Sequence, residues 1–184
     1  NGLRHSKLAK GRVVFLYDSF VTKVIAKTRE YHTSGEVNAF TPPLALRKDI
    51  IHEIGYYYDK DVHWVGDAEF DYRVKKAGIK IKYIPKAIVY HPPLSIFYDL
   101  RSAFRYGIGK RIGVEKGIMY GIGSFFSKIF DVIKKKGLIP SIYFVFWNMA
   151  YCLGYFTQAL FDLYKVRKKF ERGRRNEDLQ TANR

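Results

Sequence analysis

Three observations predict a mixed fold of α/β or α+β type. Residues 67–77 repeat apolar side chains one helical turn apart, at Phe70, Val74 and Ala77, and stop at Gly78. IKIKYI (79–84) then alternates, with Ile79, Ile81 and Tyr83 on one face against Lys80 and Lys82. Beyond Pro92 and Pro93 a helical pattern resumes across SIFYDLRSAFRYG, residues 95–107. Helix, strand, strand and helix thus follow one another through the middle of the chain.

The remaining elements fall around this centre. Residues 1–12 hold four Lys or Arg and a His, and VVFLY (13–17) reads either as a short strand or as the start of an apolar helix to about Ile25. TSGEVNAFTPP (33–43) is expected to be a loop, because its prolines cannot continue a helix. LALRKDIIHEIG (44–55) has Leu44, Ile50, Ile51 and Ile54 at mixed spacings of three and four, which predicts a short amphipathic helix with Gly55 as its C-cap. The strand at 79–84 should close at Pro85, with a second extended piece at Ala87–His91.

The last third changes character. LIPSIYFVFWNMAYCLGYFTQALF, between Gly137 and Asp162, is 24 residues without a charge, long enough to cross a bilayer at ~1.5 Å per helical residue. Lys134–Lys136 precede it and KVRKKFERGRR follows, so basic charge on both sides leaves its orientation open. Residues 118–133 set Phe125, Phe126, Ile129 and Ile133 against Lys128 and Asp131, a pattern suited to the membrane interface. Residues 173–184 read as a polar, disordered tail.

Composition excludes some classes. An apolar fraction of 47% supports a packed core, and 184 residues suit one ordinary domain. The chain begins at Asn1 with no methionine or signal-like segment, which reads as a fragment or a processed chain. A net charge of +16 calls for an anionic partner: nucleic acid, anionic lipid or a phosphorylated substrate. Cys152 is the sole cysteine, which excludes an intrachain disulfide and predicts a buried, inert thiol.

The acids at 67–71 are the strongest chemical signal. Asp67 and Asp71 share one helix face, and Glu69 and Arg73 are placed to pair on another. Spacing alone is met by a structural account, in which Asp67 caps the helix and the other acids complement its dipole.

The wider pattern resembles the second half of the catalytic domain of family 2 glycosyltransferases, inverting enzymes of the GT-A type. ALRKDIIHEIG followed by YYYDKD, then GDAEFDYRVKKAGIKIKYIPKAIVYH, then FRYG at 104–107, stand in that family's order and spacing, with Asp67, Glu69, Arg73, Gly78, Pro85, Ala87, Val89 and His91 in step. The resemblance implies a partial Rossmann-like GT-A α/β fold over residues 1–115, membrane-associated helices over 116–172, and the tail beyond. It implies Asp67 as the general base and Glu69 and Arg47 as acceptor contacts. It further implies His91 as a metal or diphosphate ligand and Arg105 with Tyr106 as diphosphate contacts. It implies a nucleotide-sugar donor, a lipid-linked or cell-surface glycan acceptor such as a polyprenol-linked glycan, and a divalent metal, Mg or Mn, held mainly by an upstream Asp-x-Asp. The catalytic part is then expected on the cytoplasmic side of a membrane.

Departures and rivals accompany this reading. Gly66 stands where the family usually has Glu, FTPPL replaces a Gly- and Asn-bearing loop, and the nucleotide-binding first half is missing. Asp59-Lys60-Asp61 matches Asp-x-Asp by letters only, because it stands just before the base region. Plain alternatives are a packed strand-end histidine for His91, a lipid-headgroup contact for Arg105 and a surface cation for Arg47. The rival functions are a non-catalytic, membrane-tethered basic protein binding anionic lipid or other polyanions, and a nucleic-acid binder. The uncharged run argues against nucleic acid as partner, and the ordered match over 44–107 argues for the enzyme.

Overall fold

The computed structural model describes residues 3, 6–34, 38–40, 42–120 and 125–182, with side chains described for all of these except 31–34, 125–129, 170 and 172–182. The fold is α/β: six α-helices and a three-stranded mixed sheet among the described residues. Strand β1 (Leu8–Phe15) is central, with β2 (Leu44–Leu46) antiparallel on one side and β3 (Ile81–His91) parallel on the other. Helix α1 (Phe20–Ser34) follows β1 and starts on a reciprocal cap: Thr22 N–H donates to Ser19 Oγ and Ser19 N–H to Thr22 Oγ1. A 3-10 turn (Lys48–Ile50) runs into α2 (Ile51–Ile54), and α3 is Gly66–Lys76. Then come α4 (Ile96–Glu115), α5 (Phe125–Lys136) and the 45-residue α6 (Leu138–Ala182), whose last turns take in most of the expected tail.

Two expectations about local structure change. Leu44–Leu46 is not helical: these residues pair with Lys10–Leu8, and only Lys48–Ile54 turns helically, ending at Gly55 with φ +85°. Ladder hydrogen bonds outweigh a short, mixed periodicity there. The two extended pieces at 79–84 and 87–91 are one strand. Its register explains how Pro85 is tolerated. Lys10 pairs with Tyr83 and Arg12 with Ile88, so residues 84–87 bulge past Gly11 and Pro85 owes the ladder no N–H. A Cβ at Gly11 would lie 2.2 Å from Ala87 O, so the bulge requires glycine.

Packing ties the sheet to the long helices. Val13 and Phe15 of β1, Ile25 of α1, Ala103 of α4 and Tyr143 and Trp147 of α6 form one core, while Leu8, Ile50, Phe70 and Val74 form a second beneath α3. Phe70 and Val74 are at most 1% exposed, and each such side chain contributes roughly 1.5–3 kcal/mol. Helices α4 and α6 cross at backbone distance. A Cβ on Gly107 would fall 1.9 Å from Tyr151 O, and one on Gly154 1.9 Å from Phe104 O. Gly107 is therefore an interior packing residue, and α4 continues beyond the expected 95–107 pattern to Glu115.

The uncharged run forms the first part of α6, yet no helix among the described residues is long and apolar enough to cross a membrane. The transmembrane expectation is therefore not supported. Pro140, Ser141, Asn148, Gly154, Thr157 and Gln158 dilute the run, and its Tyr143–Trp147 face is buried in the core. Cys152 is a free thiol, partly rather than fully buried.

Candidate functional site

A cavity of about 390 Å³ opens beyond the C-terminal ends of the parallel pair β1 and β3. In open α/β sheets such strand ends are where ligands bind, because the connecting segments diverge there and leave a crevice. Val13 and Phe15 come from β1, His91 from β3, Asp67 and Ala68 from the first turn of α3, and Tyr106 and Lys110 from α4. Arg29 of α1 and Trp147 and Tyr151 of α6 complete the wall, with Phe40, Pro42 and Trp64 from loops. The walls are aromatic and carry one carboxylate, one imidazole and two cations.

Three of the six predicted site residues meet here: Asp67, His91 and Tyr106. Asp67 is half-buried, and its Oδ1 accepts the Ala68 N–H at 2.8 Å. Helix α3 begins at Gly66 with Val65 as N-cap and no side-chain cap, so Asp67 sits in the first turn, where its charge is favoured by the helix dipole. Gly66 fits its place because a Cβ would already lie 3.2 Å from the Tyr58 ring. Behind Asp67 the buried Lys10 ammonium donates to Phe40 O and to Pro42 O at 3.2 Å. Burial pushes Lys10 below the ordinary lysine pKa, and the charges of Asp67 and Asp71 oppose that shift. Asp71 accepts the Ala39 N–H at 2.6 Å and pairs with Lys75, which fixes the loop that presents Phe40.

His91 is paired with Phe15 at the last rung of the sheet, its ring 5.0 Å from the Phe15 ring. Its Nδ1 lies 2.8 Å from Pro92 O; because a carbonyl only accepts, Nδ1 is the donor in that contact.

Arg29 and Lys110 are the site cations that the sequence did not reveal. The Arg29 guanidinium lies 5.4 Å from the Trp147 ring and 5.7 Å from the Tyr106 ring, and its Nε is 3.1 Å from Asp99 Oδ1. The Tyr143 hydroxyl donates to the other Asp99 oxygen at 2.8 Å. Burial raises the Asp99 pKa, against the attraction of Arg29, and raises that of Tyr143 as well. For Arg29 the only available signal was an arginine one turn beyond Ile25 on the apolar face of α1.

The other three predicted residues lie elsewhere. Glu69 is fully buried in a two-pronged ion pair with Arg73 and accepts from the Tyr56 hydroxyl at 3.2 Å. Arg47 forks onto Asp49 at the surface. Arg105 does not line the cavity; it stacks 4.2 Å from the ring of Trp64, which does. Trp64 holds φ +69°, a strained conformation for a bulky residue, and its loop closes on α4 at Gly109, where a Cβ would lie 2.3 Å from His63 O.

Asp59 and Asp61 both pair with Lys116, at 2.7 and 3.0 Å, which ties their loop to the end of α4. Among the described residues no three His, Cys, Asp or Glu side chains come together to hold a metal ion. Comparison with family models, with curated proteins and with solved structures found no match to this chain.

Proposed function

We propose that this chain is the acceptor-side half of a membrane-associated, inverting glycosyltransferase of the family 2, GT-A type that its motifs resemble. The observation that carries the reading is the convergence of Asp67, His91 and Tyr106, distant in sequence, on one aromatic-walled cavity beyond the C-terminal strand ends.

In this reading the Asp67 carboxylate takes the proton of an acceptor hydroxyl as that oxygen attacks the anomeric carbon from the face opposite the leaving nucleoside diphosphate, and configuration inverts. Negative charge grows on the departing diphosphate. Arg29 and Lys110 are the cations lining the cavity that can stabilise it, Arg29 with a planar fork suited to phosphate oxygens. The aromatic walls offer flat apolar surfaces to sugar rings, and Lys10 keeps positive charge behind the base. Arg105 acts by holding Trp64 in the wall. The acceptor is a lipid-linked or cell-surface glycan, and the catalytic part faces the cytoplasm.

The test is sugar transfer from nucleotide-sugar donors by the protein extended upstream, with and without divalent metal, beside Asp67→Asn. Activity lost in Asp67→Asn while the fold persists supports the base assignment. Full activity in Asp67→Asn removes it, and the rival account of Asp67 as a helix-dipole partner in a non-catalytic protein then stands.

A further inference from the structure

We infer that the open face of α6 docks this protein, helix axis in plane, on an anionic lipid bilayer; the inference deepens the membrane-associated part of the proposed function and rests on it. From Ile139 to Leu163 an apolar side chain recurs in alternating steps of three and four, with Ile142, Phe146, Met149 and Leu153 in the middle of the series, each at least 50% exposed. At ~1.5 Å per residue this stripe runs on the order of 36 Å along the helix. The opposite face of α6, at Tyr143, Trp147 and Gly154, packs against the core and α4, so α6 has two apolar faces, and among the described residues only one of them is covered. The stripe continues onto α1, where Phe20 and Val21 form an apolar groove with Ile139 and Phe146. A continuous exposed apolar surface of this kind marks an interaction site.

Charge decides what covers it. A helical partner or a second copy would be steered by charged residues flanking the seam. Here the flanks are Val145, Cys152 and Ala159 on one side and Ala150 and Thr157 on the other, all uncharged. A chain of net charge +16 also repels its own copy and is drawn to an anionic surface. Basic residues stand at both ends of the stripe, Lys134–Lys136 before it and Lys165, Arg167, Lys168 and Lys169 after it. The Lys165 ammonium lies 4.5 Å from the Phe161 ring, so positive charge stands directly against the apolar stripe at its C-terminal end. An apolar face bounded by lysines, on a helix too polar to span, suits burial at the level of the lipid headgroups.

The experiment is co-sedimentation of the 184-residue chain with vesicles of phosphatidylcholine, with and without phosphatidylglycerol, at low and high salt. Binding to the anionic vesicles that weakens with salt is expected, and Phe146→Asp with Leu153→Asp should lower it by about tenfold or more. Both substitutions are at exposed positions, and a circular dichroism spectrum like that of the parent establishes that the fold persists. A second readout does not depend on them: in a Cys152→Ser background, a polarity-sensitive fluorophore on Leu160→Cys should shift to the blue when anionic vesicles are added. Asp67→Asn should bind vesicles like the parent, so failure of the glycosyl-transfer reading and failure of this one are distinguishable. The inference is overturned if the parent stays in the supernatant, if the stripe variant binds as well as the parent, if the fluorophore does not shift, or if the chain is a dimer that the stripe variant dissociates.

Discussion

Removing either partner of the Glu69–Arg73 pair should destabilise the fold in a fixed order. Glu69 is 0% and Arg73 10% exposed by side chain. Arg73 also donates to the carbonyls of Ile54, Tyr56 and Tyr57, and its guanidinium lies 3.8 Å from the Tyr56 ring. Breaking a buried pair from one side costs roughly 3–5 kcal/mol, because the other charge stays behind. In Glu69→Gln the Arg73 charge keeps its three carbonyls, which sets the cost at the low end, roughly 3 kcal/mol. In Arg73→Met the Glu69 charge remains in a dry site beside one hydroxyl and the three carbonyls lose their donor, which sets the cost near the high end, roughly 5 kcal/mol. For a chain of this length each kcal/mol moves Tm by about 2–4 °C, so drops of about 6–12 °C and about 10–20 °C are expected in thermal unfolding followed by circular dichroism. Neither drop should depend on an added sugar or acceptor. The reasoning is refuted if Glu69→Gln melts within about 2 °C of the parent. If it did so while losing acceptor affinity, Glu69 would be the acceptor contact that the sequence pattern implies.

Three other outcomes follow from the geometry. Gly154→Ala and Gly107→Ala should each cost roughly 3 kcal/mol in urea unfolding, and the double variant less than their sum, because both force apart the same α4–α6 crossing. Arg29→Gln should weaken binding of a nucleoside diphosphate by about 10–100-fold, the worth of a charge-assisted hydrogen bond; the quench of Trp64 and Trp147, the chain's two tryptophans, reports it because both line the cavity. Burial raises the Asp99 pKa on folding, so between the unfolded carboxylate value of about 3.9 and that raised value the folded state holds the extra proton and stability falls as pH rises. Asp99→Asn should remove that part of the slope of stability against pH, and an unchanged slope in acid-range unfolding would assign it to another group.

What was legible in the sequence was local. Helix α3 and its stop at Gly78, with φ +69°, follow from side chains one turn apart and a glycine free to turn left-handed, and both are decided within a dozen residues. Gly55 is legible for the same reason. What was not legible depends on partners far along the chain. Strand β1 begins at Leu8, inside a stretch that reads as basic and polar, because Lys10 is buried by bonding to Phe40 O and Pro42 O. Pro85 reads as a strand end until the register shows a bulge opposite Gly11, and the packing role of Gly107 is invisible until Tyr151 O is seen to occupy the place of its missing Cβ.

The candidate site divides along the same line. Asp67 and His91 were found because motif order carries them, and both line the cavity. Arg29 and Trp147 were missed because each lies in a segment whose local pattern asks only for a core, and only the packing of α1 and α6 against the strand ends makes them neighbours. Glu69 shows the reverse. It lies on α3 two residues from Asp67, yet rotation of about 200° around the helix turns it away from the cavity and into Arg73. Proximity in sequence to a catalytic candidate is thus weak grounds for a shared role on a helix, and side-chain direction is the better criterion. By that criterion Arg29 has the stronger claim to touch a ligand in this fold, and Glu69 the stronger claim to hold it together.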